Sequence, residues 1–241
     1  MKIKFIGTGS SINSKRIGAS ILIEDSILVD APPAANSILW KNDINFEKIS
    51  HIFISHLHGD HYFGLPFILM EYELKKKDTE LKIYGPQLLE NNVRKVLSLG
   101  FPNEDFNSII EKSKSQINKL NLKNVINIEP LKLNVKPFKV HHLDMEAYGF
   151  IVDNSYNKVL ITADTELFEG LVKNIIECDC VIIDGTTLKG GLKGHISFEE
   201  IEILAEKFPF KNFYITHRGE YNHKNKKNNI ILPIDGEVIN V

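Results

Sequence analysis

The sequence predicts an α/β protein with two sheets packed between outer helices, and three observations carry that prediction. The chain opens with short apolar, β-prone runs separated by Gly and Ser: Lys2 to Ile6, Ser20 to Leu22 and Ile27 to Asp30 read as a meander of strands. Strand-like and helix-like segments then alternate. The same succession, strands first and alternation after, occurs twice, which suits two sheets with helices on their outer faces. With 241 residues, 43% hydrophobic and 25% charged, the chain can bury a full core without disulfides, and one domain over residues 1–241 is the simplest division.

Taken in order, Ile49 to Ser55 is a buried strand that runs into a cluster of histidines. Gly64 to Lys77 has helical spacing, Leu81 to Tyr84 is a strand ending at Gly85-Pro86, and residues 87–99 are helical. From Asn103 to Lys123, Phe106, Ile109, Ile110, Ile117 and Leu120 stand at rough helical spacing and predict one or two surface helices. Val125 to Val140 alternates like strands, and Gly149 to Val152 and Lys158 to Thr162 add two more. A helix is expected over Glu166 to Ile176 with Asp164 or Thr165 as its N-cap. Val181 to Asp184 is a strand, Ser197 to Phe208 a helix with Ser197 and Glu200 in capping-box spacing, and Asn212 to Thr216 a strand. A terminal hairpin should turn at Asp235-Gly236. No short-period repeat or low-complexity linker interrupts this order.

A formal charge of −2 gives no whole-molecule field for collecting nucleic acid or anionic membrane, so an anionic substrate has to be held locally. Cys178 and Cys180 flank one residue of a strand approach, so they should share a face and not bridge each other. That usage points to a reducing compartment with structural thiols. The sequence shows no hydrophobic leader and no run of about 20 apolar residues, so a cytoplasmic location without a membrane partner is expected.

The segment His56-Leu57-His58-Gly59-Asp60-His61 places three imidazoles and a carboxylate within six residues of a loop that Gly59 lets fold sharply. Folding alone does not call for that density of ligands. Neutral imidazole and carboxylate are the usual nitrogen and oxygen donors for zinc. In a tight loop His56 and His58 can turn to one ion while Asp60 and His61 turn to another. One loop cannot complete two coordination spheres, so further ligands must come from elsewhere in the chain.

His56-x-His58-x-Asp60-His61 after an apolar strand resembles the signature of the metallo-β-lactamase fold superfamily, and the resemblance covers essentially the whole chain. It implies a four-layer αβ/βα sandwich holding two divalent ions, zinc first and manganese or iron as alternatives. It also implies a later histidine for the first ion, a bridging aspartate, and a last histidine for the second. Strand alternation puts Phe138, Val140 and His142 on one face and His141 on the other, so His142 is the better candidate for the first role and His141 the alternative. Asp164 in Thr162-Ala163-Asp164-Thr165 matches the bridging motif, and His217 after Phe213-Tyr-Ile-Thr matches the last histidine. A solvent oxygen bridging the two metals would ionise near neutral pH and act as nucleophile, with Asp60 orienting it.

Within the superfamily the sequence is similar to the ribonuclease Z and cyclic phosphodiesterase branch. Phe5-Ile-Gly7-Thr8-Gly9-Ser10 resembles the opening strand and loop of those enzymes, and Asp184-Gly185-Thr186 with Gly194-His195-Ile-Ser197 resembles the segment that brings a histidine to the leaving group. His195 is therefore a candidate general acid. Lys193 and Arg218 are candidate phosphate-binding residues, with Lys189 beside them. His51 and His223 receive no role, and Lys224, Lys226 and Lys227 make too short a cluster to argue for nucleic acid. No long Gly- and Pro-rich basic arm stands between Gly85 and His142, and Arg218-Gly219-Glu220-Tyr221 echoes only loosely the run that follows the last histidine in ribonuclease Z. The expected activity is hydrolysis of a cyclic or nucleotide phosphodiester, by a homodimer as the default assembly. Alternatives are RNA endonuclease action, hydrolysis of a carboxylic ester, thioester or lactone, and a sensing module without turnover.

Overall fold

The computed structural model describes residues 1–12, 14–75, 80–221 and 227–241. Lys76 and Lys77 at the end of one predicted helix, and His223, Lys224 and Lys226, lie outside the described residues. The first sheet holds β1 (Lys2–Gly7), β2 (Ser20–Ile23), β3 (Ile27–Val29), β4 (His51–Phe53), β5 (Leu81–Gly85) and β6 (Ser115–Lys119). The second holds β7 (Ile126–Ile128), β8 (Leu133–Lys139), β9 (Tyr148–Asp153), β10 (Lys158–Ile161), β11 (Cys180–Asp184), β12 (Asn212–Thr216) and β13 (Ile230–Ile231). A last strand, β14 (Val238–Asn240), returns to the first sheet beside β1, giving the orders β14-β1-β2-β3-β4-β5-β6 and β13-β12-β11-β10-β9-β8-β7. In each sheet an antiparallel meander gives way to parallel strands, at β3–β4 in one and at β10–β11 in the other.

The helices are α1 (Ala35–Lys41), α2 (Gly59–Tyr62), α3 (Leu65–Lys75), α4 (Leu89–Gly100), α5 (Phe106–Lys112), α6 (Glu169–Glu177) and α7 (Phe198–Lys207). Three apolar clusters define four layers. One joins the outer face of the first sheet to α1, α3, α4 and α5, and another joins the outer face of the second sheet to α6 and α7. Between them a third cluster fuses the sheets through Phe5, Phe53, Phe150 and Ile182. Phe53 and Phe150 meet edge to face with ring centroids 5.5 Å apart. The four-layer αβ/βα sandwich is therefore present, with its layers in the expected order.

Four expectations are corrected. The stretch after Asn103 forms α5 and then strand β6, which pairs parallel with β5. Ile117 packs on the helix side of the sheet and Leu120 in the core between the sheets, so a three-residue spacing that looked helical serves opposite faces of an extended chain. The helix expected from Glu166 starts at Glu169 behind an extended Phe168, so neither Asp164 nor Thr165 caps it. Asp235-Gly236 does not close a hairpin, because β13 lies in the second sheet and β14 in the first; the turn carries the chain from one sheet to the other. Cys178 and Cys180 are both free and buried but enter different clusters, because Cys178 ends α6 instead of continuing a strand. The capping box at α7 forms as expected: Ser197 accepts from the Glu200 backbone N–H, and the Glu200 carboxylate accepts from the Ser197 backbone N–H. Among the described residues no helix is long and apolar enough to cross a membrane.

Candidate metal centre

The strands of both sheets end at one rim, where their following loops deliver polar side chains to a common point. Asp30 follows β3, the His56–His61 loop and α2 follow β4, His142 follows β8, Asp164 follows β10, and His217 follows β12. Four residues on this rim hold the left-handed backbone that side chains usually avoid: Asp30 (φ 60°), Leu143 (φ 51°), Ala163 (φ 52°) and His217 (φ 51°). Strain of this kind, of order 1–3 kcal/mol each, persists where surrounding structure enforces it and clusters at functional sites.

Two sets of donor atoms converge. In the first, His58 Nδ1 stands 3.2 Å from His56 Nε2 and 3.0 Å from His142 Nε2. In the second, Asp60 Oδ2 is 3.4 Å from His61 Nε2 and 3.2 Å from His217 Nε2. Asp164 Oδ2 lies between the sets, 3.4 Å from His61 Nε2, 3.3 Å from His217 Nε2 and 3.8 Å from His56 Nε2. A tetrahedral ion with nitrogen ligands at about 2.0–2.1 Å separates its donors by roughly 3.3 Å, so these spacings suit a cation at the centre of each set.

The outer hydrogen bonds fix which nitrogen faces inward. His142 Nδ1–H donates to the Gly194 carbonyl at 2.7 Å, and His61 Nδ1–H donates to Asp30 Oδ2 at 2.8 Å. Ser55 Oγ–H donates to Asp30 at 2.8 Å and so accepts from His56 Nδ1–H at 3.0 Å. Thr186 Oγ1–H donates to Asp184 at 2.7 Å and accepts from His217 Nδ1–H at 2.7 Å. Each of these four rings therefore turns Nε2 inward, the orientation that ligation requires. His61 Nε2 is buried and makes no hydrogen bond, and lone pairs facing each other about the His58 nitrogen repel unless a proton or a cation separates them. The donor set fits a metal site on these grounds.

Charge follows the same layout. Burial holds His56 well below its ordinary range, with the neighbouring His61 adding to the effect. Burial also lowers His58 and His142. For Asp164 burial favours the neutral acid, yet His217 and His61 override it and hold the carboxylate well below its usual value. Asp60 behaves alike: burial again favours the neutral acid, and the neighbouring His217 and His61 outweigh it. With Asp164 buried and Asp60 only partly open to solvent, two ionised carboxylates need compensating positive charge, which a cation supplies.

His195 is placed beside the cluster by Asp184: its Nδ1–H donates to Asp184 Oδ2 at 2.9 Å, and its ring stacks on His217 at 5.3 Å. Burial opposes its charge, but the Asp184 carboxylate outweighs burial and raises its pKa. Lys193 is exposed on a cavity of about 350 Å³ that His195 also lines. Arg218 does not join them. Its backbone is pinned to Thr8 and Ser10, and its buried guanidinium donates from Nη2 to the Pro233 carbonyl at 2.6 Å, so it faces the protein interior and not a substrate. His141 is exposed and stacks on Phe168 at 4.1 Å, away from the donor cluster, while His142 is buried within it. His51 bonds Ser50 on β4 and takes no part in the site.

Sequence reasoning missed the outer layer. Asp30, Ser55 and the Gly194 carbonyl orient ligands, and Glu166 braces Gly194 by accepting its N–H at 2.8 Å. Gly194 (φ +85°) also leaves no room for a side chain, since a Cβ there would come within 2.9 Å of His142 Nδ1. Asp30, closing the apolar run Ile27-Leu-Val, was the one signal available in the sequence.

Comparison with known proteins gives the fold and the family. The ribonuclease Z of Picrophilus torridus is 34% identical over 102 residues, covering 41% of this chain and 33% of that protein. The matched stretch thus spans about a third of the length of the curated relatives. The short form of human tRNase Z superposes with a TM-score of 0.75 at 23% identity, covering 100% of this chain and 99% of the other. The metallo-β-lactamase fold protein YhfI from Bacillus subtilis gives 0.79 at 17% identity, covering 99% and 98%. The chain has the metallo-β-lactamase fold. The family model described as Anti-Pycsar protein Apyc1 matches residues 1–232, nearly the whole sequence, and the chain belongs to that family.

Proposed function

We propose that the protein is a metal-dependent hydrolase of phosphodiesters, acting on a cyclic or nucleotide substrate. The observation that carries this reading is the convergence of two donor sets on one carboxylate oxygen of Asp164. His56, His58 and His142 would hold one divalent cation and Asp60, His61 and His217 a second, with Asp164 shared. Imidazole and carboxylate donors favour zinc, with manganese and iron as alternatives. When bound, such a pair supplies Lewis acidity toward a phosphoryl oxygen and lowers the pKa of water in the site.

The chain's own groups complete the chemistry. Asp60, partly open to solvent beside the cluster, orients the attacking water by accepting its hydrogen bond. His195, oriented through Nδ1 by Asp184, carries a proton to the departing alkoxide. Lys193, exposed on the same cavity as His195, offers its ammonium to phosphate oxygens.

Likeness to ribonuclease Z supports a second reading, RNA cleavage. Between Gly85 and His142, however, the described chain folds as α4, α5, β6, β7 and β8 against the body, with no projecting basic arm to grip a large RNA.

The test compares initial rates on bis(p-nitrophenyl) phosphate and p-nitrophenyl acetate with zinc- or manganese-loaded protein. Chelator-sensitive preference for the diester is expected. Cleavage of the acetate alone would replace the proposal with a carboxylic-ester hydrolase, and metal binding without turnover would replace it with a sensing module.

A further inference from the structure

The ligand cluster leaves unexplained a cavity of about 450 Å³ that opens beside Asp60 and is walled by Phe63, Arg16 and Pro32. Its volume is in the range of small-molecule pockets. Phe63 is 41% exposed, yet its ring is fixed. It packs edge to face on Tyr62 at 5.0 Å and lies so close to Gly59 that a Cβ there would meet three ring atoms at 2.6–2.9 Å. Gly59 thus lets the aromatic ring stand against the backbone of the ligand loop, between His58 and Asp60. A rigid ring with an open face costs little entropy on binding and offers a stacking platform to any planar heterocycle.

Arg16 supplies the polar side of the same cavity. Its Nη1 donates to Glu220 Oε1 at 2.7 Å, which holds the side chain in place. Among the described residues its Nη2 and Nε meet no protein acceptor, so donors remain for a ligand. A planar apolar face with guanidinium donors at its edge suits a nucleobase with ring or carbonyl acceptors. The larger cavity on the His141 side, about 790 Å³, is a poorer fit because Asp144, Glu146 and Glu166 line it and would repel a phosphorylated ligand.

We propose that the cavity beside Asp60 is the base-binding subsite, with Phe63 stacking on the nucleobase and Arg16 donating to its acceptor edge. The inference rests on the nucleotide phosphodiesterase reading for its choice of ligand, but binding tests it apart from turnover. The probes are nucleoside 5′-monophosphates and ribose 5-phosphate, titrated calorimetrically into metal-loaded protein. The wild type should bind the nucleotides more tightly than ribose 5-phosphate. Phe63→Ala should weaken nucleotide binding about 5- to 100-fold while leaving ribose 5-phosphate unchanged, Phe63→Tyr should restore it, and Arg16→Gln should weaken nucleotides alone. Equal wild-type affinity for both probes, or a Phe63→Ala protein that binds nucleotides as well as the wild type, would overturn the subsite. Base-selective binding that depends on Phe63, in a protein that fails to cleave bis(p-nitrophenyl) phosphate, would uphold the subsite and condemn the diester reading.

Discussion

His141 and His142 are chemically identical neighbours with opposite surroundings. One stacks on Phe168 in contact with solvent, and the other is buried with its Nδ1 on the Gly194 carbonyl and its Nε2 among the donors. His142→Ala should therefore lower bound metal and abolish hydrolysis, whereas His141→Ala should leave both intact; atomic absorption and steady-state rates on the two variants check this. Asp30 touches no candidate ion, yet it accepts from Ser55 and from His61 and so sets the orientation of two donors. Asp30→Asn should weaken metal binding about 10- to 100-fold, the usual cost of losing an outer-layer partner, measured by competition with a chromogenic chelator. The ligands were legible in the sequence because His56 to His61 concentrates donor types beyond the needs of folding. Asp30 and Ser55 were not, because a single acid or hydroxyl at a strand end has many uses and only the folded rim shows which one applies.

At the scale of elements, those with strong local signals formed where expected. The capping box of α7 is an example: Ser197 and Glu200 bond reciprocally, and the helix begins at Phe198. Ser197→Ala should cost about 0.5–2 kcal/mol of stability, read from urea unfolding with a lowered midpoint and unchanged slope. Elements whose role depends on partners were misread. Strand β6 takes its conformation from β5 beside it, and Ile117 and Leu120 serve opposite faces only because a sheet edge is there to receive them. The turn at Asp235-Gly236 looked like a hairpin because turn chemistry says nothing about which sheet the next strand joins. Asp235 instead accepts from the Thr8 and Ile17 backbone N–H groups, tying the crossing to the loops after β1.

The whole molecule depends on the seam between its sheets, since the donors of each proposed ion come from both. His56 and His58 follow the first sheet and His142 the second; Asp60 and His61 follow the first and His217 the second. Phe53 is fully buried at that seam, stacked near Tyr84 at 5.2 Å and edge-on to Phe150 of the other sheet. Phe53→Ala should cost about 3–5 kcal/mol and loosen the seam without touching a ligand, so thermal unfolding monitored by circular dichroism should shift downward in a single transition. Cations bound only by the folded state should in turn raise the unfolding temperature, and chelation should lower it.

One rim, assembled from both sheets, is proposed to bind a pair of divalent cations through seven side chains that meet at Asp164. Elemental analysis of dialysed, zinc-loaded wild-type and Asp164→Ala proteins tests it most directly. Two equivalents per chain in the wild type, falling in the variant, are predicted. A wild type that retains no metal, or a variant that holds the same two equivalents with the same affinity, would contradict it.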